Sequence, residues 1–538
     1  MNIAEYIPFL PLLYAEMHYT LHGFSLVYRS WPEIVADVPY RLEPGCPLPV
    51  LLLLKDADRF PVFLHTVTVE ITYSDGTGET HTLIQNPVFI ENASWHRIFH
   101  IRVLRKNPGP AQVLLKIEAG KKHKKRLRTF YNDNYRGMSH VPFTVHLASQ
   151  PFPLLKNYIS GDIHFHSDFT HDQAEFGAPL DATVEMAGAI GIRFSAVTDH
   201  SYDLDDMPDN YLKNDTRLAK WKKYIKETDR LSTFKEHILI RGEEITAGNL
   251  MNRNVHLLVL NTGTYYPGAG DSAEKWFRTR PDLSISEILD NLEPDALAFA
   301  AHPEDAFNFL HRKLLRRDKW QKNDYNHARL NGLQIWNGPH DKTFLKGLKS
   351  WIHLLLEGQK ISIVAGNDAH GNFNRFRQLL LPFLLFTEKE DFIYGKSRTV
   401  VYIEGKPTLT KILNALASGH SYVSNGPALS IRVINRNGQS FHMGQTVKGK
   451  PVRLVIQGLS TEEFGPFQSA VIRFGSTGWK AEKTITEIIR FNDPFQFDQT
   501  IELTDISSGS YIRAEITTHH KEIIRALTNP IYFGSTGS

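Results

Sequence analysis

The chain has 538 residues, 41% hydrophobic and 22% charged, with a formal net charge of +3. This is the composition of a soluble globular protein with length for two or three domains, and so mild a charge gives no sign of a nucleic-acid or membrane partner. The one cysteine, Cys46, excludes an internal disulfide framework and any thiolate-based zinc finger, so a metal would have to rest on carboxylate and imidazole, of which 25 histidines supply the latter.

The opening stretch MNIAEYIPFLPLLYAEMHYTLHGF lacks a basic n-region, and Pro8, Pro11 and Glu16 break its apolar run. It reads as neither secretory signal nor membrane span, and the expected location is the cytoplasm. Residues 1–154 then read as β. VTVEITYSDGTGETHTLIQ alternates apolar and polar residues about a Ser-Asp-Gly turn, and HRIFHIRVLR and AQVLLKIEAG continue the alternation, which predicts a β-sandwich-like domain. The basic run Lys121 to Arg128 reads as a solvated loop, because only Phe130 and Tyr131 follow it as stacking partners.

Over 155–427 the pattern changes to short apolar strands alternating with helical stretches. GDIHFHS, RFSAVTDH, HILIRGEEIT, NVHLLVL, ALAFAAHPE, NGLQIWNGP and ISIVAGNDAHG are the strands, interleaved with segments such as DATVEMAGAIG, SISEILDNL and FLKGLKSWIHLLLEG. This predicts an α/β domain built as a parallel barrel of seven strands. Residues 428–538 return to β, with ALSIRVI, PVRLVIQGL, SAVIRFG, DQTIELT and SYIRAEITT separated by Gly, Asn, Asp and Pro, and predict a second sandwich-like domain.

Chemistry in a parallel barrel sits at the C-terminal strand ends, where this sequence gathers its histidines and carboxylates. His164 and His166, at i and i+2, share one strand face about 7 Å apart. Asp199 and His200 end the second strand. Glu243 and Glu244 end the third, where alternation lets only one point inward. His256 lies in the fourth, His302 ends the fifth, and Asp368 and His370 end the last. Unpaired buried carboxylates and imidazoles are costly, whereas a metal cluster satisfies them together.

GDIHFHS, TDH, GEEIT, AHP and GNDAH, in this order, resemble the PHP (polymerase and histidinol phosphatase) family of metal-dependent hydrolases over about half the chain. RTVVYIEG followed by LASGHSYVSNGP is similar to its CehA/McbA-type branch, which includes enzymes cleaving aryl methylcarbamates. The resemblance implies a distorted seven-stranded (β/α)7 barrel flanked by β-sandwich-like domains, and two or three divalent ions, Mn, Zn or Fe. It implies metal ligands at His164, His166, Asp172, His200, Glu244, His256, His302, Asp368 and His370. Glu244 is preferred to Glu243 from the family's Gly-x-Glu pattern, as a bridge between two metals. Asp172 is preferred to its neighbour His171 because oxygen donors commonly fill that slot. Asp368, Glu244 and His302 are the implied catalytic groups.

The reaction expected is hydrolysis of an ester, carbamate or phosphoester by a hydroxide bridging two metals, with Asp368 moving the proton. A general phosphoesterase is the alternative, and a non-catalytic metal-binding scaffold a third reading. Arg278, Asn337, His340, Arg375 and Arg377 are the candidates for binding a small-molecule substrate, the arginines by clamping an anion. Trp336 is placed beside Asn337 as a further orienting group. No nucleic-acid motif appears, no membrane partner is expected, and the β domains offer a route to a homo-oligomer.

Overall fold

The computed structural model describes residues 31–534 except 105–107, 123–125, 135–139, 171–176, 208–209, 233–235, 271–277, 308, 376–377, 382–383, 388–391 and 505. The chain forms two compact units. The first comprises Met1–Pro151, Thr170–Gly191 and His370–Ile393, and the second Phe152–Phe169, Ile192–Ala369 and Tyr394–Ser538.

In the first unit, β1 (Glu33–Asp37), β2 (Leu48–Lys55) and β4 (Ser94–Ile101) form one antiparallel sheet. The long strands β3 (Val62–Tyr73) and β5 (Gly109–Lys121) centre another, with β6 (Phe143–Leu147) beside β5. Every second residue of β3 and β5 is buried: Val67, Val69 and Ile71 in one, and Val113, Leu115 and Ile117 in the other. This period of two is what a half-buried strand requires, and these residues join Val50, Leu52 and Leu54 in one core. Helix α1 (Leu180–Ala189) lies in the same unit, with His96 and His100 of β4 facing Asp181 and Glu185 at 3.1 Å each.

The second unit carries β7 (Tyr158–His166), β8 (Phe194–Val197), β9 (Ile238–Gly248), β10 (Asn254–Leu260), β11 (Leu297–Ala300), β12 (Leu330–Asn337) and β13 (Ser362–Gly366). It also holds β14 (Arg398–Tyr402) and β15 (Ser421–Ser424), and helices α2 (Ala219–Leu231), α3 (Lys342–Leu356) and α4 (Leu409–Ser418). The C-terminal strands are β16 (Ala428–Asn435), β17 (Pro451–Leu459), β18 (Phe467–Ser476), β19 (Gln496–Glu502), β20 (Ser510–Thr518) and β21 (Arg525–Thr528).

The expected (β/α)7 barrel is not present among the described residues. Among the described residues strand outweighs helix, 44% to 15%, and the seven strands belong to one mixed sheet. That sheet runs in the order β13-β12-β11-β10-β9-β8-β7-β14-β15-β21-β20-β18, passing from the predicted barrel segment into the C-terminal strands. β10 is antiparallel to both β9 and β11, and β14 is antiparallel to β7. The physical reason is the length of one connection. Parallel neighbours need a crossover of a dozen or more residues, whereas only Asn249 to Arg253 separate β9 from β10, which makes the pair a hairpin. A separate sheet of β16, β17 and β19 stands beside this one in the C-terminal part, and the two share a core of Leu429, Ile431, Ile456, Ile472 and Ile512.

Alternation along β9 and β10 sorts their side chains between two cores. Ile245, Ala247, Val255, Leu257 and Val259 enter one, with Trp336 and Trp351. Ile240, Leu258 and Leu260 enter the other, with Ile163, Phe194 and Phe299. Helix α3 closes the first core: Asp341 caps it by accepting from Thr343 and Phe344 N–H groups, and Phe344, Trp351 and Leu355 line its buried face.

Candidate metal centre

The even-numbered residues of β9 and β10 share a face, so Glu244 and His256 point to the same side as Ile240 and Leu258. His256 stands opposite Thr246 and therefore diagonal to Glu244, which brings the imidazole Nδ1 to 2.7 Å from Glu244 Oε1. His302 follows β11 with φ of 26°, and its Nε2 lies 3.0 Å from the same oxygen. The other oxygen, Glu244 Oε2, is 3.4 Å from His164 Nε2, 3.4 Å from His166 Nε2 and 3.1 Å from His200 Nδ1. One buried carboxylate thus faces five imidazoles, two through one oxygen and three through the other.

Asp368 completes the group, with Oδ1 3.0 Å from His166 Nε2 and 3.4 Å from His164 Nε2. It sits just past β13 with φ of 50°, and its N–H donates to His164 O at 2.8 Å, stitching the end of β13 to the end of β7. A left-handed backbone costs energy at any non-glycine residue, though least at Asp and Asn, and here the bond to His164 O helps to hold it. Gly366 is required two residues earlier, at the end of β13, because a Cβ there would meet His164 Cβ at 2.6 Å and His164 N at 2.8 Å.

Around these groups lies a set of orienting bonds that the sequence did not reveal. His164 Nδ1–H donates to Gln334 Oε1 at 2.8 Å, Gln334 Nε2 donates to Asn337 Oδ1 at 2.9 Å, and Asn337 Nδ2 donates to Asp368 Oδ2 at 3.2 Å. Gln334 is fully buried, between Leu333 and Ile335. The other ring nitrogen of His302, Nδ1, meets Asp305 at 2.8 Å. Backing imidazole ligands with an acceptor is how proteins fix the tautomer that offers its free nitrogen to a metal.

The residues fit divalent cations. Glu244 Oε2 and His164 Nε2 are buried and have no hydrogen-bond partner among the described residues. With ligand bonds near 2.1 Å, donor atoms around one ion stand about 3.0 to 3.4 Å apart, the spacing found here. Protonated imidazoles would be a poor substitute, since the His166 and His200 rings are only 4.3 Å apart and would repel as two cations. Burial disfavours charge on Glu244, Asp368, His166 and His302. The imidazoles nevertheless hold Glu244 and Asp368 well below the usual carboxylate range, and the carboxylates push His166 up to about 10.

His164, His166, His200, Glu244, His256, His302 and Asp368 are therefore gathered at one place. Asp172 and His171 lie outside the described residues, as does Arg377, and His370 belongs to the first unit. Glu243 points to the opposite side, where it accepts from Ser201 Oγ at 3.0 Å and Tyr266 N–H at 3.1 Å, and burial raises its pKa well above normal. Asp199 accepts from Ser167 N–H and Oγ–H, so it braces β7.

Of the residues read as substrate contacts, Asn337 holds Asp368. His340 packs on Phe344 and meets Arg525 Nη1 at 3.3 Å. Arg278 is exposed and donates to Asn214 Oδ1 at 3.0 Å, and Arg375 lies in the first unit beside Asp37. Trp336, placed with Asn337 as an orienting group, is fully buried in the core against Phe344. A small pocket lined by Phe307, Arg317 and Trp320 reaches His256 and His302.

No protein-family model matches the chain, and no curated protein matches it. Among solved structures it is similar to a β-glucuronidase of Bacteroides uniformis at 10% identity and TM-score 0.18, over 93% of this chain and 61% of that one. It is similar to a β-glucuronidase of Parabacteroides merdae at 9% and 0.17, over 94% and 64%. It is also similar to a β-D-mannosidase from Dictyoglomus thermophilum at 11% and 0.22, over 93% and 66%. The chain thus spans less than two thirds of the length of each, and likeness at these scores carries no argument about fold or activity.

Proposed function

We propose that this chain is a metal-dependent hydrolase of small ester or carbamate substrates, with the ligand order of the PHP metallohydrolases carried on a mixed sheet. The observation that carries the reading is the position of Glu244, whose two oxygens face separate sets of imidazoles, as a bridge between two divalent ions requires. His164, His166, His200 and Asp368 would hold one ion and His256 and His302 the other. Such a pair supplies an acidified water at neutral pH and a clamp for developing negative charge. Asp368 would take up the proton, a role supported by its Oδ1 facing the centre while its Oδ2 is fixed by Asn337. Gln334 and Asp305 keep His164 and His302 in register.

A phosphoester is the second reading, favoured by Arg317 in the pocket beside His256 and His302, where a guanidinium suits an anionic centre. Metal-reconstituted protein assayed on naphthyl esters and carbamates beside aryl phosphates and phosphodiesters separates the two. Ester or carbamate turnover that is abolished by Asp368→Ala is the expected result. Turnover of phosphates alone would replace the first reading by the second. Full metal loading with no turnover of any would reject both.

A further inference from the structure

The hairpin turn between β9 and β10 and the short helix Phe309–Leu314 are tied together. Arg253 Nη1 donates to Arg312 O at 3.0 Å, and Arg316 Nη2 donates to Asn252 O at 2.8 Å. Between them they expose four large apolar side chains: Leu250 (63%), Met251 (61%), Phe309 (71%) and Leu314 (53%). Single exposed apolar residues are ordinary, but four on two linked tips are not. The same two segments carry Arg253, Arg312, Lys313, Arg316, Arg317 and Lys319. The acids among them are already engaged: Glu304 with Lys319, Asp305 with His302, and Asp318 with Arg312. Lys319 and Arg312 are neutralised in these pairs, and six cations against three acids leave a net excess of three positive charges. Phe307 and Arg317 of this rim also line the pocket that ends at His256 and His302.

We propose that this rim docks on an anionic lipid bilayer, with Leu250, Met251, Phe309 and Leu314 entering the interface and the arginines and lysines meeting the headgroups. Apolar tips ringed by cations are the arrangement by which a peripheral protein holds a negatively charged membrane. Leu250 and Met251 stand on the hairpin turn and Phe309 and Leu314 on the helix, and the cationic excess around them complements a negatively charged surface. A second copy of the chain, placed face to face, would set like charges against each other. Docking here would bring the mouth of the pocket to the bilayer, where amphiphilic esters reside.

The test is co-sedimentation of the full chain with phosphatidylcholine vesicles with and without phosphatidylglycerol. Binding to the phosphatidylglycerol vesicles alone, weakened by salt, is expected, with at least a roughly ten-fold loss for Leu250→Ser/Met251→Ser and for Phe309→Ser. Lys313→Glu should weaken binding while leaving metal content and circular dichroism as in the parent. Chelator-treated protein should bind equally, so that failure of the metal reading and failure of this one are separable. No binding to phosphatidylglycerol vesicles would overturn the proposal, as would binding that the substitutions leave intact. A vesicle-free dimer that the same substitutions dissolve would assign the patch to a second copy and overturn it as well.

Discussion

Gln334→Ala removes the acceptor of His164 Nδ1–H and the donor that holds Asn337, and through Asn337 the oxygen Oδ2 of Asp368. On the proposed reading, one truncation would loosen two ligands of the same ion. Loss of such backing costs roughly 10- to 100-fold in metal affinity, or about 1.4 to 2.8 kcal/mol. The buried Nδ1–H left without a partner costs a further 1–3 kcal/mol or so of folding stability in the metal-free protein. The assay is competition for Zn²⁺ or Mn²⁺ against a chromophoric chelator, run beside urea unfolding of metal-free protein. Gln334→Glu keeps an acceptor for His164 and should recover most of the affinity. An alanine variant that binds metal as tightly as its parent would refute the reasoning, because His164 and Asp368 would then be held by something other than Gln334.

Gly366→Ala should weaken metal binding more than a surface Gly→Ala change does, since the new methyl must push against His164 Cβ and backbone; chelator competition reads it, and unchanged affinity would count against the packing described. Trp351→Ala empties the core under α3 and removes the indole N–H bond to Ile361 O, so urea unfolding should show a loss of about 3–5 kcal/mol, and a loss below 1 would mean the site collapses freely. Burial lowers the pKa of His237 to about 4, against Ile192 O as its hydrogen-bond partner. Below pH 6.5 the unfolded chain takes up a proton that the folded chain refuses, so stability falls from pH 6.5 toward 4, by up to about 3 kcal/mol. His237→Gln should flatten that part of the pH profile, and identical slopes for parent and variant would remove His237 as its cause.

Much of the candidate centre was legible because its ligand types are chemically expensive to bury otherwise. The spacing of His164 and His166 gives a shared strand face, and strand alternation places Glu244 opposite in sense to Glu243. The direction of the strands was not legible: periodicity is the same for parallel and antiparallel pairs, so the reversed β10 was read as one more barrel strand. The short Asn249–Arg253 connection was the available signal, since it cannot hold a crossover. Gln334 was invisible because nothing in LNGLQIWN sets it apart from the amides Asn331 and Asn337, and its role depends on His164, 170 residues away. Trp336, read as an orienting group, has the parity of Gln334, and only the register shift between Gln334 and Trp336 brings it into the core with Leu333 and Ile335, which no periodicity in the sequence announces.

The central claim is that Glu244 joins two ions. Anomalous scattering from crystals of metal-reconstituted protein tests it most directly. Two peaks on either side of the Glu244 carboxylate are predicted, one beside His164, His166, His200 and Asp368, and the other beside His256 and His302. A single peak that does not touch Glu244, or no peak among these side chains, would contradict the account.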